Sequence, residues 1–149
     1  MANLSINLSK LVTADDKFVE RRAAKIEAVK AHGESILQLG FPFDAGVELG
    51  VQHLQTRNST DKTNWLTSQN AYNAQIAAGN GEYPGASFRT AENNTITLTF
   101  NDAAMLLLQM AGWGAQLFQI SWAKQDAIRL TTNDAELDAI DITTGWEIA

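Results

Sequence analysis

Apolar and polar residues alternate in two different rhythms along this chain, and each rhythm predicts its own kind of element. From Leu4 to Leu8 every second residue is apolar, which is the period of a short strand or extended arm. From Thr13 to about Leu39 the apolar positions recur at helical spacing, and Thr13 with Asp16 resembles a capping box. We therefore expect an arm followed by a first helix.

The first helix carries a short apolar stripe on one face. Its members are spaced by seven, three and seven residues, a heptad-like pattern that Arg22 and Gly33 interrupt. The stripe consists of Val19, Ile26, Val29 and Ile36. Two interpretations fit it. Either the stripe is buried within the protein's own domain, or it joins copies of the chain through self-association of this helix.

Two β-hairpins are predicted after this helix, each leading into a further helix. Gly40 suits a helix end, and residues 44–46 supply the turn of the first hairpin. The half-buried face of this hairpin is expected to carry Val47, Leu49, Val51 and Leu54. Ser59 or Asp61 is expected to cap the second helix, which extends to about Ala78.

The second hairpin is predicted from a turn at residues 92–94 and the threonine-rich, β-prone run that follows it. A loop, "GNGEYPG" at 79–85, separates it from the second helix. Asn101 is expected to cap a long helix that ends near Leu130, and a short helix is expected at about 133–140.

The long helix contains an uncharged run, residues 103–123, that matches the length of a membrane span. Gln109, Gln116 and Gln119 interrupt the run and form a narrow polar stripe. Three central glutamines would be costly in a bilayer. We therefore expect no membrane insertion, and we expect protein to surround this helix, either its own domain or neighbouring subunits.

These elements together predict an α+β fold. An N-terminal arm and helix precede two β-hairpins that alternate with helices, and all of them pack around one long C-terminal helix. We divide the chain into residues 1–39, for docking or oligomerisation, and residues 40–149, a domain of hairpin, helix, hairpin and long helix.

Composition narrows the classes of function. With 149 residues, of which 45% are hydrophobic, the chain can form one domain with a sizeable core. A formal charge of -6 argues against a nucleic-acid partner, because binding to phosphates needs a basic surface. The chain has no cysteine and only two histidines, so no thiolate or histidine-rich metal site is expected, and no cofactor is predicted.

The first hairpin holds the best candidates for catalysis, namely Asp44, Glu48, His53 and Arg57. Glu48 and His53 are five residues apart, so on a strand they point to opposite faces. His53 would need a carboxylate from elsewhere, and the sequence identifies none. We therefore predict no catalytic residue and a protein that is not an enzyme.

The four tryptophans are expected to act as anchors in a core or an interface. They are Trp65, Trp113, Trp122 and Trp146. With Leu117 and the stripe of the first helix, they form the predicted set of packing and interface residues. A carbohydrate platform that uses Trp65, Tyr83 or Trp146 is an alternative.

Four segments follow one another in an order that resembles a known family. They are "LQTRNSTDKTNWL" (54–66), "FRTAENNTITLTFNDAAMLL" (88–107), "MAGWGAQLFQISWAKQDAI" (110–128) and "ELDAIDITTGW" (136–146). The succession resembles an uncharacterised family of bacteriophage and prophage proteins. These proteins are encoded among tail genes and are often described as tail-fibre-associated or as carrying a domain of unknown function.

The resemblance implies a non-enzymatic structural component of a phage tail, such as a tip, fibre or adaptor module. Such a protein would be made in the host cytoplasm and found in the virion, with other tail proteins as partners. It would be a homo-oligomer, for which we favour a trimer. The alternatives are a tail-fibre assembly chaperone and a receptor-binding or glycan-binding module.

Overall fold

The computed structural model describes residues 11–148, and it has the α+β architecture that the sequence predicts. The elements, in chain order, are α1 (Ala14–Leu39), β1 (Phe41–Asp44), β2 (Val51–Leu54), α2 (Ser59–Ala77), β3 (Ala86–Arg89), β4 (Thr95–Leu98), α3 (Phe100–Arg129) and α4 (Asp134–Asp138). β1 pairs with β2 and β3 with β4, both antiparallel, in two separate sheets. The predicted arm at residues 4–8 lies outside the described residues.

Side-chain caps fix where the helices begin. Thr13 and Asp16 form the predicted capping box at the start of α1. The predicted caps of the next two helices are wrong by one to three residues, since Ser59 or Asp61 was expected for the first of them and Asn101 for the second. Asn58 caps α2, since its side chain accepts the Asp61 amide, and Thr99 caps α3 in the same way.

The first hairpin buries a different face from the one predicted. Its turn occupies all residues from 45 to 50, so β2 begins only at Val51 and its alternation is shifted. Gln52 and Leu54 therefore point inward, whereas Val51 is exposed. Val47 and Leu49 lie in the turn and are also exposed, so the predicted apolar face is wrong at three of its four positions.

α3 is the centre of the molecule. α1 packs along one side of it, α2 packs along another, and the two hairpins sit near its N-terminal half. The core cluster includes Val29 of α1, Leu54 of β2 and Leu117 of α3. Residues on either side of the predicted boundary at position 39 therefore share one core.

Among residues 11–148, no helix combines the length and the hydropathy that a membrane span requires. In α3, the three glutamines of the predicted polar stripe are exposed. The side of α3 that lies opposite these glutamines is buried.

Candidate interaction surface

The two sides of α3 differ in how well the chain covers them. On one side, which we call the covered face, α1 and the C-terminal segment lie against α3, and Leu117 and Ile128 of α3 and Trp146 of the C-terminal segment are buried. The ring of Trp146 is so close to α1 that a Cβ on Gly33 would lie 3.3 Å from it. Its indole N–H donates to the Ile142 carbonyl at 2.8 Å. This face is packed as a protein interior is.

The other side of α3 is an apolar surface that residues 11–148 leave largely exposed. Its residues are spaced by four, three, four, three and four, which places them on one face of the helix. We call this the open stripe, and it consists of Ala104, Leu108, Ala111, Ala115, Phe118 and Trp122. Leu108 is 58% exposed, Phe118 is 44% exposed and Trp122 is 59% exposed. The two aromatic rings stack on each other, with centroids 6.1 Å apart.

A groove runs between the open stripe and α2. It encloses about 410 Å³, and its lining is almost entirely apolar. We call it the α2–α3 groove, and its principal residues are Trp65, Leu66, Gln69, Met110, Ala111 and Phe118. The floor is built of small residues of α3, and Leu66 on the rim is 59% exposed. The groove and the open stripe form one continuous surface, which we call the α2–α3 face, because Ala111, Ala115 and Phe118 belong to both.

This surface carries few charges: Lys62 of α2 lies on it, and Lys30 and Glu34 of α1 border it beside Phe118 and Trp122. Lys62 lies at the end of the groove, with its ammonium 5.8 Å from the centroid of the Phe118 ring. Beyond Lys62, α2 has no charged residue up to its end, and residues 103–123 of α3 have none either. Most of the chain's acidic and basic residues therefore lie elsewhere, although the chain carries a formal charge of -6.

The titratable residues of the first hairpin form a different kind of site. The His53 ring Nδ1 lies 2.5 Å from a Glu92 carboxylate oxygen, and the His53 backbone N–H donates to the other oxygen at 2.9 Å. Burial acts to raise the pKa of Glu92, but these hydrogen bonds from His53 outweigh burial and lower the pKa to about 2. Glu92 is the carboxylate that His53 lacked in the sequence, and the pair ties β2 to the turn of the second hairpin.

A second polar cluster supports this junction from inside. The Gln52 side-chain oxygen accepts hydrogen bonds from the Thr90 hydroxyl and the Asn94 amide, both at 2.9 Å. The Ala91 backbone N–H also donates to the His53 carbonyl, at 2.8 Å. We call these contacts and the His53–Glu92 pair the hairpin junction. Every polar group named here binds another part of the chain, so the arrangement holds the two hairpins together.

Within the described part of the chain, no cluster of three or more histidine or carboxylate side chains could hold a metal ion.

A family model matches residues 20–144, which is most of the chain, and its description is "Domain of unknown function (DUF4376)". The chain belongs to this family. Neither the search among curated proteins nor the search among solved structures finds a match. Because the DUF4376 description assigns no activity, any function has to be argued from the surface itself.

The DUF4376 match spans the hairpin junction, the groove and the open stripe, and it stops just before Trp146. Most of the predicted packing and interface residues are packed inside the fold. Val29, Trp113, Leu117 and Trp146 are buried, and Ile26, Ile36 and Trp65 are half-buried against the core. Val19 and Trp122 are exposed. For three of its four members, the stripe of α1 therefore follows the first interpretation, burial within the chain.

Sequence reasoning missed Leu66, Leu108 and Phe118, although the signal for two of them was present. The spacing of the open stripe is a more regular heptad than the one read on α1. It was hidden because the long helix is apolar on most sides, so no single stripe stood out.

The aromatic residues that were candidates for carbohydrate binding differ in their placement. The indole N–H of Trp65 donates to the Gln55 carbonyl at 2.7 Å, and that of Trp146 donates to Ile142. Tyr83 is exposed and stacks on Phe100 with centroids 6.1 Å apart. Of the three, Tyr83 alone presents an open ring.

Proposed function

We propose that this DUF4376 chain is a structural packing module of a bacteriophage tail, which docks its apolar α2–α3 face onto another protein. The observation that carries the proposal is the open stripe with its adjoining groove. An apolar surface of this kind on a folded domain marks a site of interaction with another macromolecule. The resemblance of the sequence to tail-associated proteins supplies the biological setting.

The size of the exposed aromatic surface supports docking as the main role. A buried aromatic side chain covers on the order of 200 Å². With the exposures of Phe118 and Trp122, the two rings leave about 200 Å² open to solvent, which at about 25 cal/mol per Å² is worth about 5 kcal/mol on burial. The cost of association offsets part of this gain, so the rest of the groove has to contribute as well.

The chemistry of the remaining surface also favours packing over catalysis. The best acid–base candidates, His53 and Glu92, hold the two hairpins together through both backbone and side-chain contacts. The groove itself offers Gln69, Thr56 and Lys62 as its polar side chains. Such a lining suits the burial of an apolar partner surface.

The setting is tested by mass spectrometry of purified virions from a phage that carries this gene. We expect the chain in a fixed ratio to the other tail proteins, and a Trp122→Ser variant should be depleted from the particles. Leu130→Ser is the matched control, because Leu130 is exposed beyond the open stripe. A chain that is abundant in infected cells but missing from virions would reject the structural role and favour an assembly chaperone.

A glycan-binding role has its own test, since it would depend on Tyr83. Binding on a glycan array that is lost in Tyr83→Ala would favour a receptor-binding module. A silent array would leave the packing role as the better account of the surface.

A further inference from the structure

We infer that the occupant of the α2–α3 face is a second copy of this chain, packed antiparallel across a two-fold axis. The inference rests on the proposed function, because it names the partner of the same docking surface. It replaces the three-fold arrangement that a phage tail suggests with a two-fold one.

The order of residue sizes along the open stripe sets the direction. Three of its first four positions are alanines, at 104, 111 and 115, with Leu108 between them, whereas its last two positions are Phe118 and Trp122. In a parallel pair or trimer, the tryptophans would meet each other and the alanines would meet each other, which leaves crowding at one end and a void at the other. An antiparallel pair sets large residues against small ones.

The spacing of the stripe places the axis. The pairs Ala111–Trp122 and Ala115–Phe118 share one midpoint in the sequence. A two-fold axis through that point therefore sets each copy's Trp122 beside the other's Ala111, and each Phe118 beside the other's Ala115. Because Ala111 and Ala115 line the groove, the Trp122 ring of one copy meets the concave part of the other. A two-fold contact needs this kind of self-complementary surface.

Charge favours a second copy on this face. Two chains with a formal charge of -6 each repel one another over most of their surfaces. The α2–α3 face is the exception, because residues 63–77 of α2 and 103–123 of α3 carry no charge and Lys62 adds a positive one. Where α1 borders this face beside Phe118 and Trp122, it adds one carboxylate, Glu34, and one further ammonium, Lys30, so the residues that line the face hold two lysines and a single acidic residue.

The area of the face approaches that of a standard dimer interface. α2 has 19 residues. A helix of that length spans about 28 Å, and two helices packed side by side present a face about 20 Å wide. The projected area is then roughly 560 Å² per copy, and the accessible area of a ridged surface is larger. Stable interfaces bury about 800 Å² per partner.

The first test measures mass by light scattering during size-exclusion chromatography of the full chain, over a range of concentrations. We expect a dimer, and Trp122→Ser should raise the dissociation constant by roughly tenfold or more, as for a central aromatic anchor. Phe118→Ser should act in the same direction. Leu130→Ser, an exposed leucine at the end of α3 and off the stripe, should leave the dimer unchanged.

Orientation is tested with a short bismaleimide, which suits this chain because it has no native cysteine. Ala115→Cys lies near the proposed axis and should cross-link to itself in the other copy. Ala104→Cys should not, because the two copies of that residue are about 37 Å apart in the antiparallel arrangement. The double variant Ala104→Cys with Arg129→Cys should cross-link, because the antiparallel arrangement places position 104 of one copy beside position 129 of the other. Efficient linkage of Ala104→Cys alone would show a parallel assembly and overturn the inference.

Other outcomes would also overturn it. A chain that stays monomeric but floats with phosphatidylcholine vesicles would assign the face to lipid. A chain that is monomeric and ignores vesicles, yet is present in virions, would assign the face to another tail protein and leave the proposed function standing. A dimer in solution that is missing from virions would retain the inference and reject the tail role.

Discussion

The covered and open faces of α3 are built from similar side chains but have different surroundings. Leu117 on the covered face is 3% exposed, whereas Leu108, nine residues earlier on the same helix, lies on the open face. The covered face has α1 and the C-terminal segment laid over it. Among residues 11–148, the open face has α2 along one side, and α1 borders it only near Phe118 and Trp122. An apolar residue in this helix therefore serves the fold or an interaction according to which face it occupies.

Charge distinguishes the two faces as clearly as burial does. Ionic and charged contacts rim the covered face: Arg21 pairs with Asp134 and with Asp138, and the Lys124 ammonium donates to the Asp141 carbonyl. No such rim surrounds the middle of the open stripe, where residues 103–123 are uncharged. An exposed apolar patch without charged residues in its middle is typical of a surface that associates with a partner, and the open face has this character.

The largest expected difference between the two faces is in the free energy of unfolding that is lost when a leucine is shortened to alanine. Leu117→Ala should lower the free energy of unfolding by about 2–5 kcal/mol, because the surrounding core cannot collapse fully onto the space left behind. Leu108→Ala, the same change on the same helix, should cost less than about 1 kcal/mol in the monomer. Urea unfolding at a concentration where the chain is monomeric measures both. Equal losses would mean that the open face is covered in solution.

The second prediction concerns the hairpin junction, where acid sensitivity should be concentrated. The pKa of Glu92 falls from 4.5 to about 2 on folding, so its contribution to stability is complete above pH 4.5 and is lost as the pH falls toward 2. Its side chain is 34% exposed, so solvent screening reduces the effect to about 1–2 kcal/mol.

Glu92→Gln should remove this contribution, so the stability gap between wild type and variant should be largest near neutral pH and should close at about pH 2. Urea unfolding at several pH values follows the gap. Glu48→Gln, in the exposed turn of the first hairpin, is the matched control and should produce no gap. A gap of constant size at all pH values would show that the carboxylate's charge has no part in the junction.

The helices were predictable from the sequence because their signals are local. A cap and the spacing of apolar residues lie within a few positions of each other, so α1 and α3 could be placed to within about two residues. The first hairpin shows the limit of this approach. Its existence was clear, but the phase of β2 depends on a six-residue turn, and a shift of one residue exchanges the two faces of a strand.

The site was much less predictable, because it depends on contacts between distant parts of the chain. His53 and Glu92 are 39 residues apart, and nothing in either segment marks the other as its partner. The open face was hidden for a related reason. Trp113 and Trp122 look alike in the sequence, and only the positions of α1, α2 and the first hairpin bury one and expose the other.

Two glycines offer a smaller and more local comparison, between an exposed position in a helix and a position on the covered face. Gly112 is in the interior of α3, and a Cβ there would meet nothing within 4 Å. Gly112→Ala should therefore raise the stability of the monomer by about 0.5–1 kcal/mol, the usual helix preference for alanine. Gly33→Ala in α1 gains the same preference but sets a methyl group 3.3 Å from the Trp146 ring, so it should stabilise the chain less or destabilise it. Thermal unfolding of both variants measures the difference, and an equal gain at both positions would mean that the covered face is loosely packed.

The smallest predicted effect is the response to salt, and it should have opposite signs on the two faces. Raising the salt concentration from about 0.1 M to about 1 M shortens the Debye length from about 10 Å to about 3 Å. On the covered face this screens the exposed pairs that Arg21 makes with Asp134 and Asp138, so stability should fall by a few tenths of a kcal/mol at most.

Between two copies joined by their open faces, salt instead screens the repulsion of their net negative charges and strengthens apolar association. The dissociation constant of the dimer, followed by light scattering, should then fall by roughly threefold. Weaker association at high salt would show that charged groups hold the interface together. The uncharged stripe does not supply such groups, so the two faces would then have to be distinguished on other grounds.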